Sequence, residues 1–439
     1  MSSLIMAAQL ILGLSILVTL HELGHFMAAR AFGIRVEKFY LFFDAWNVKL
    51  FSVKIGDTEY GMGWLPFGGY VKIAGMVDES LDREALKQEP QPWEFRSKPA
   101  WQRLIVMIGG VTMNVILAIV IYWSLIYKYG ESYLPLSQVK HGIVAHELGK
   151  GIGLQTGDQI IAINNHSFEN FDDLYSSKVL FGAALTVVRN NETLAVKVPL
   201  DFVERISPKN KDRFIEPRKT FFVGMLDPKS NADRGGLLKG DVIRSVNNDT
   251  IKYFDQLQDA LQKNAGKTAK VGVLRGNKNV MLTIEVDKTG RIGFFPESKD
   301  FTFKTTRYGF FQSLPVGIRE AEGVLSDNIK GFGKIVRGEV SAKNSLQGPI
   351  GIAKIYGGQW DWIKFWSMTA LLSVVLAFMN ILPIPALDGG HVVFLTLEAV
   401  TRRKFSDSFM EKAQIVGMVI LLSLMAFALG NDIWKNIIN

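Results

Sequence analysis

The chain has no cysteine in its 439 residues. That excludes disulfides, a thiol nucleophile and cysteine-ligated zinc, so any metal has to be held by His, Asp or Glu. Histidine is itself scarce, at six residues. Basic residues are missing from the N-terminal stretch, where the first is Arg30. A cleaved secretory leader opens with a basic segment, so Met1 to Leu20 is expected to stay as a membrane span. Charge is low overall, at 21% of residues against 48% hydrophobic, which is too apolar for an ordinary soluble protein. The net charge of +8 is spread along the chain and forms no single basic tract. A nucleic-acid partner is therefore not expected, and the lipid bilayer is the partner such a balance suits.

What is present is segregated. Long uncharged blocks lie at both ends of the chain, and residues 131 to 345 have the mixed composition of water-soluble domains. A helix crossing the hydrocarbon needs about 20 residues, and four segments are expected to cross: 1–32, 104–128, 361–400 and 412–434. Arg30, Arg35, Lys38, Lys98 and Arg103 flank the segment 33–103, and Arg402, Arg403 and Lys404 lie between the third and fourth spans. Short loops rich in Lys and Arg stay inside, which puts both termini and the large insert outside the cytoplasm, in a periplasm. Residues 290–360 read as helical pieces on the membrane surface.

The insert contains a repeat. Gly153-Leu-Gln-Thr-Gly-Asp-Gln-Ile-Ile-Ala-Ile-Asn-Asn165 recurs 83 residues later as Gly236-Leu-Leu-Lys-Gly-Asp-Val-Ile-Arg-Ser-Val-Asn-Asn248. Each copy shows a Gly-Asp turn, an alternating strand, an Asn-Asn turn, a short helix and two apolar strands. Copies over 133–203 and 218–289 are expected, and their signature resembles bacterial PDZ domains, small peptide-binding modules.

The chemistry is concentrated in two polar islands inside apolar sequence. The first span ends in His21-Glu22-Leu23-Gly24-His25. Four residues apart on a helix, two imidazoles share one face and one cation, with the intervening glutamate beside the open side. Polar groups in a span are costly and functional by default. The second island is Asn380-Ile-Leu-Pro-Ile-Pro-Ala-Leu-Asp-Gly-Gly-His391. Pro383 and Pro385 break the helix there, which is tolerated only beside protein or a water-filled cavity. A catalytic zinc takes three protein ligands and keeps one position open, so Asp388 is the expected third ligand, with His391 as rival. Glu22 is then the proton acceptor and donor.

Together, H-E-L-G-H, N-I-L-P-I-P-A-L-D-G-G and paired modules between the second and third apolar segments resemble the site-2 protease family, closest to its bacterial regulator of sigma-E protease type. The resemblance implies one Zn2+ per chain on His21, His25 and Asp388, catalysis by Glu22 and substrate contacts near Asn380. It also implies a substrate-binding role for Asn114, which closes Gly110-Val-Thr-Met-Asn114; Gly109-Gly110 stands where Gly-Pro is expected from the resemblance, and those glycines also suit close helix packing. The partner implied is a single-span membrane protein, such as an anti-sigma factor already trimmed by another protease.

Phe51 to Tyr60 alternates around Gly56-Asp57 as a β-hairpin does, and Gly61 to Tyr70 follows it, apolar and rich in glycine. A re-entrant β-loop beside the metal would offer an unwound substrate span new backbone partners, with Gly68, Gly69 and Tyr70 in contact. The expected architecture is a multi-pass α-helical membrane protein of four transmembrane helices, with a re-entrant β-hairpin loop and two inserted β-rich PDZ-like domains. A metal-ion transporter would need acidic or histidine residues along several spans, and the second has none and the fourth only Asp432 near its end. A non-catalytic adaptor would have no need of Glu22.

Overall fold

The computed structural model describes residues 2–76, 89–206, 213–341 and 348–434. Residues 77–88 of the 33–103 segment and 342–347 of the 290–360 segment lie outside the described residues. The chain divides into two compact units, one of Met1–Gly130 with Arg307–Asn439 and one of Glu131–Thr306.

In the first unit, α1 (Ser2–Ala31) and α2 (Ala100–Tyr129) each run 30 residues, about 45 Å at the helical rise of 1.5 Å per residue. They are followed by α3 (Phe310–Val336), α4 (Pro349–Tyr356), α5 (Trp362–Ile381), α6 (Asp388–Thr401) and α7 (Asp407–Ile433). Among the described residues four helices are long and apolar enough to cross a membrane: α1, α2, α5 and most of α7. The central helix is α2, which packs on α1, α3, α5 and α6. Its crossing with α1 is close because both sides are glycine: a Cβ on Gly109 would stand 2.7 Å from the Gly24 carbonyl oxygen. Farther along, Ser373 Oγ of α5 donates to the Asn114 carbonyl at 2.7 Å. Near the start of α2, buried Arg103 pairs with Glu398 of α6.

Between α1 and α2 lies a four-stranded sheet of β1 (Val36–Phe43), β2 (Lys49–Ile55), β3 (Thr58–Gly63) and β4 (Leu65–Ile73), in the order β2-β3-β1-β4. The expected hairpin exists as β2–β3, turning at Gly56 with φ 61°. The sheet is larger than a hairpin because β1 inserts itself, parallel to β3 and antiparallel to β4. Gly61 to Tyr70, expected as one loop, is divided between β3 and β4. No described strand pairs with the outer side of β4, and its inner face rests on α1, where a Cβ on Gly69 would touch Val18 at 3.0 Å.

The second unit holds the two copies, each with its own core. In the first, Gln159–Ile163 pairs with Ala183–Arg189, which pairs with Glu192–Val198. In the second, Val242–Val246, Thr268–Arg275 and Lys278–Glu285 do the same. Each copy ties its sheet with a buried carboxylate: Asp158 receives both Nε and Nη2 of Arg189, and Asp241 both of Arg275, all at 2.7 to 2.8 Å. Both copies outrun the boundaries 133–203 and 218–289. Ile215–Pro217 closes the first by pairing with Ile143–Ala145, and Phe294–Glu297 closes the second by pairing with Phe222–Leu226.

The other boundaries shift as well. Residues 290–360 are not helical pieces throughout: 294–297 and 304–306 are strands of the second unit, and α3 is one helix of 27 residues packed on α2 and α5. The segment 361–400 is two helices, because Pro383 and Pro385 supply no N–H and the chain turns from Leu382 to Leu387 before α6 begins.

Candidate metal centre

His21 and His25 lie on one face of α1 with ring centroids 4.8 Å apart and planes at 83°. Their Nε2 atoms are separated by 3.2 Å. Asp388 Oδ2 stands 3.2 Å from the first and 3.4 Å from the second. A tetrahedral zinc with ligand atoms at about 2.0 to 2.1 Å has edges of about 3.3 Å, which is the size of this triangle. Asp388 Oδ2 is buried and its near polar neighbours are the two imidazole Nε2 atoms, so three lone-pair-bearing atoms meet where one cation could join them. This donor set suits a divalent zinc, and no other group of three metal-type side chains this close occurs among the described residues.

Asp388 reaches the point because it opens α6 immediately after the proline break. The break folds tightly on the helix it precedes: a Cβ on Gly390 would stand 2.6 Å from Pro385 Cα, so only glycine lets α6 start there. The two imidazoles are seated on α2. A Cβ on Gly110 would lie 2.6 Å from His21 Cε1 and 2.8 Å from His21 Nε2. Glycine at 109 and 110 therefore permits the close approach of α1 and of the His21 and His25 rings to α2. Behind His25, Nδ1 donates to the Val106 carbonyl at 2.8 Å.

The trio opens on a cavity of about 560 Å3 whose wall includes Glu22, Asn380, Gly68, Gly69 and Tyr70. Asn380, in the last turn of α5, brings Nδ2 to 3.2 Å from His21 Nε2. Gly68 to Tyr70 belong to β4, the edge strand. His391 lines the cavity without joining the trio. Asn114 is elsewhere: it is fully buried, absent from the cavity wall, and sits behind His21 with its amide 3.2 Å from Nδ1. Sequence reasoning missed Lys38 and Asp44. Asp44 accepts from Lys38 Nζ at 3.1 Å and from Tyr70 at 2.9 Å, and all three line the cavity. Alternation along Val36 to Phe43 was the one available signal for Lys38, and nothing local marked Asp44.

An H-E-x-x-H helix closed by a distant carboxylate, within helices apolar enough to cross a membrane, defines the class: a membrane zinc metalloprotease. Comparison with known proteins makes this specific. The chain belongs to Peptidase family M50, the site-2 proteases, whose family model matches residues 9–424. It is 31% identical to the regulator of sigma E protease of Haemophilus influenzae, over 98% of this chain and 99% of the relative. It is 28% identical to the regulator of sigma-E protease RseP of Escherichia coli, over 97% of each. A provisionally named zinc metalloprotease of Vibrio cholerae is also 28% identical, over 96% of this chain and 97% of its own length.

Proposed function

We propose that this protease hydrolyses a peptide bond within the membrane span of another protein, with zinc on His21, His25 and Asp388. The observation that carries the reading is the triangle of two Nε2 atoms and one carboxylate oxygen, sized for one tetrahedral ion. Zinc, when bound, supplies Lewis acidity toward a carbonyl and lowers the pKa of a water. Glu22, in the cavity wall next to His21, accepts the proton from the attacking water and hands it to the leaving amine. Asn380 offers an amide donor to a backbone carbonyl at the same point.

A substrate span arrives as a helix with its amides internally paired. The unpaired outer side of β4 lies beside the trio, and strand addition there supplies partners to the opened backbone. This reading makes the sheet a re-entrant element. The basic residues around 33–103 and 402–404 support a cytoplasmic-side active site in an inner membrane, with the two PDZ-like copies and both termini in the periplasm. Relatives named for sigma-E regulation make a trimmed, single-span anti-sigma factor the favoured substrate.

The test uses purified full-length protein, a single-span model substrate and a chelator. Glu22→Gln should fold and bind one zinc per chain yet cut nothing, and chelation should silence the wild type reversibly. Cleavage by Glu22→Gln within tenfold of wild type, or cleavage that survives removal of all metal, overturns the proposal.

A further inference from the structure

Three positions of α2, each four residues from the next, meet the two imidazoles: the Val106 carbonyl lies behind His25, Gly110 lies beneath both rings, and Asn114 lies behind His21. Spacing by four keeps them on one helix face. A neutral imidazole presents a lone pair on Nε2 only when its proton is on Nδ1, and a buried Nδ1–H needs an acceptor. For His25 the Val106 carbonyl is that acceptor, at 2.8 Å. For His21 the group facing Nδ1 is the Asn114 amide at 3.2 Å. With its nitrogen toward Nδ1, this amide supplies no acceptor and leaves Oδ1 buried without a partner. The two ends of an amide are told apart only by the hydrogen bonds they make. Turned over, Oδ1 accepts from Nδ1–H and the His21 lone pair faces the common point.

We infer that Asn114 is a positioning residue that fixes the tautomer and orientation of His21 through an Nδ1–H to Oδ1 hydrogen bond, and that it does not touch substrate. The inference rests on the zinc reading above. It fits the complete burial of Asn114 and its absence from the cavity wall. It also fits the Ser373 hydrogen bond to the Asn114 carbonyl, which locks this residue between α2 and α5. Partners of this kind behind a ligating histidine are worth about 10- to 100-fold in metal affinity.

The test compares full-length wild type, Asn114→Asp, which keeps an acceptor, and Asn114→Leu, which keeps the shape without one. Zinc affinity is read by chelator competition, and the His21 tautomer by nitrogen-15 NMR of labelled imidazoles. We expect wild type to show His21 protonated on Nδ1, Asn114→Asp to hold zinc within a few-fold of wild type, and Asn114→Leu to lose about 10- to 100-fold with a mixed tautomer. An Asn114→Leu protein with wild-type zinc affinity overturns the inference, as does a wild-type His21 protonated on Nε2. If Asn114→Leu does not fold, the wild-type tautomer and the Asn114→Asp affinity decide. A wild type whose zinc is indifferent to His21→Ala would instead overturn the zinc assignment itself, a result distinct from any Asn114 outcome.

Discussion

Asp388 Oδ2 lies 3.2 Å from His21 Nε2, so a carboxylate from near the end of the chain faces an imidazole from near its beginning. Both atoms are buried and both are lone-pair donors to a cation, an arrangement that is costly unless something positive joins them. Asp388→Ala should therefore lose most zinc while keeping its helical content, as measured by metal analysis and circular dichroism. Full zinc occupancy in that variant would remove Asp388 from the ligand set.

Gly110 is the floor under both rings. An added methyl would stand 2.6 Å from His21 Cε1, so the imidazoles must move if alanine is placed there. Overpacking costs about 1 to 3 kcal/mol, which converts to roughly 5- to 150-fold in affinity. Gly110→Ala should bind zinc that much more weakly by chelator competition. Unchanged affinity would show that the floor yields.

The parts of this site that were legible in the sequence are those written locally. His21 and His25 announce themselves by spacing on one helix, and Pro383 and Pro385 mark where a span must open beside Asp388. Val106 and Asp44 carry no such mark, and Asn114 was singled out only by a family resemblance that left its contact with His21 unread, because their meaning comes from contacts between distant segments. The four-stranded sheet was half legible for the same reason. A tight Gly-Asp turn betrays β2–β3, whereas β1 pairs in parallel with a strand beyond the next turn. The repeat was plain from Gly153 and Gly236 onward, but its closing strands at 215–217 and 294–297 lie past the repeated signature and carry no turn residues in common.

Strand addition at β4 predicts that substrate helicity governs rate. Proline in a helix interior costs about 3 kcal/mol and glycine about 1, so a substrate span broken by proline should be cut faster, with a ceiling of about 100-fold over a Leu-rich match. Single-turnover cleavage of matched substrates measures this. Equal rates would sink the unwinding step.

Two folded copies inserted between α2 and α3 suit a gate that rejects substrates still carrying a bulky outer domain. Removing the whole second unit, Glu131–Thr306, should let the enzyme cut untrimmed substrates in reconstituted vesicles. Loss of cleavage of trimmed substrates by a well-folded deletion would favour peptide capture instead.

Burial works against ionisation of Asp241, yet the Arg275 guanidinium and the Leu238 amide hold its carboxyl below the usual value. An unfolded aspartate titrates near about 3.9. The stabilisation is thus complete at neutral pH and is lost as pH falls from about 4 through the folded value. In the full chain, hydrogen-exchange protection along Lys278–Glu285, corrected for the intrinsic amide rate at each pH, should fall below about pH 4. Asp241→Asn should show that lower protection already at neutral pH. Identical exchange profiles in the two proteins would count against the ion pair as the acid-sensitive element.

The site is also a timetable. His21 and Asn380 are 359 residues apart, roughly 20 to 70 s of synthesis at about 5 to 20 residues per second. During that interval the ribosome has delivered two imidazoles and a glutamate but neither the carboxylate nor the amide that complete the centre. A growing chain therefore holds an unarmed protease while its own spans enter the bilayer. The last of these groups arrives with the start of α6, when α7 alone of the four candidate spans is still to be made.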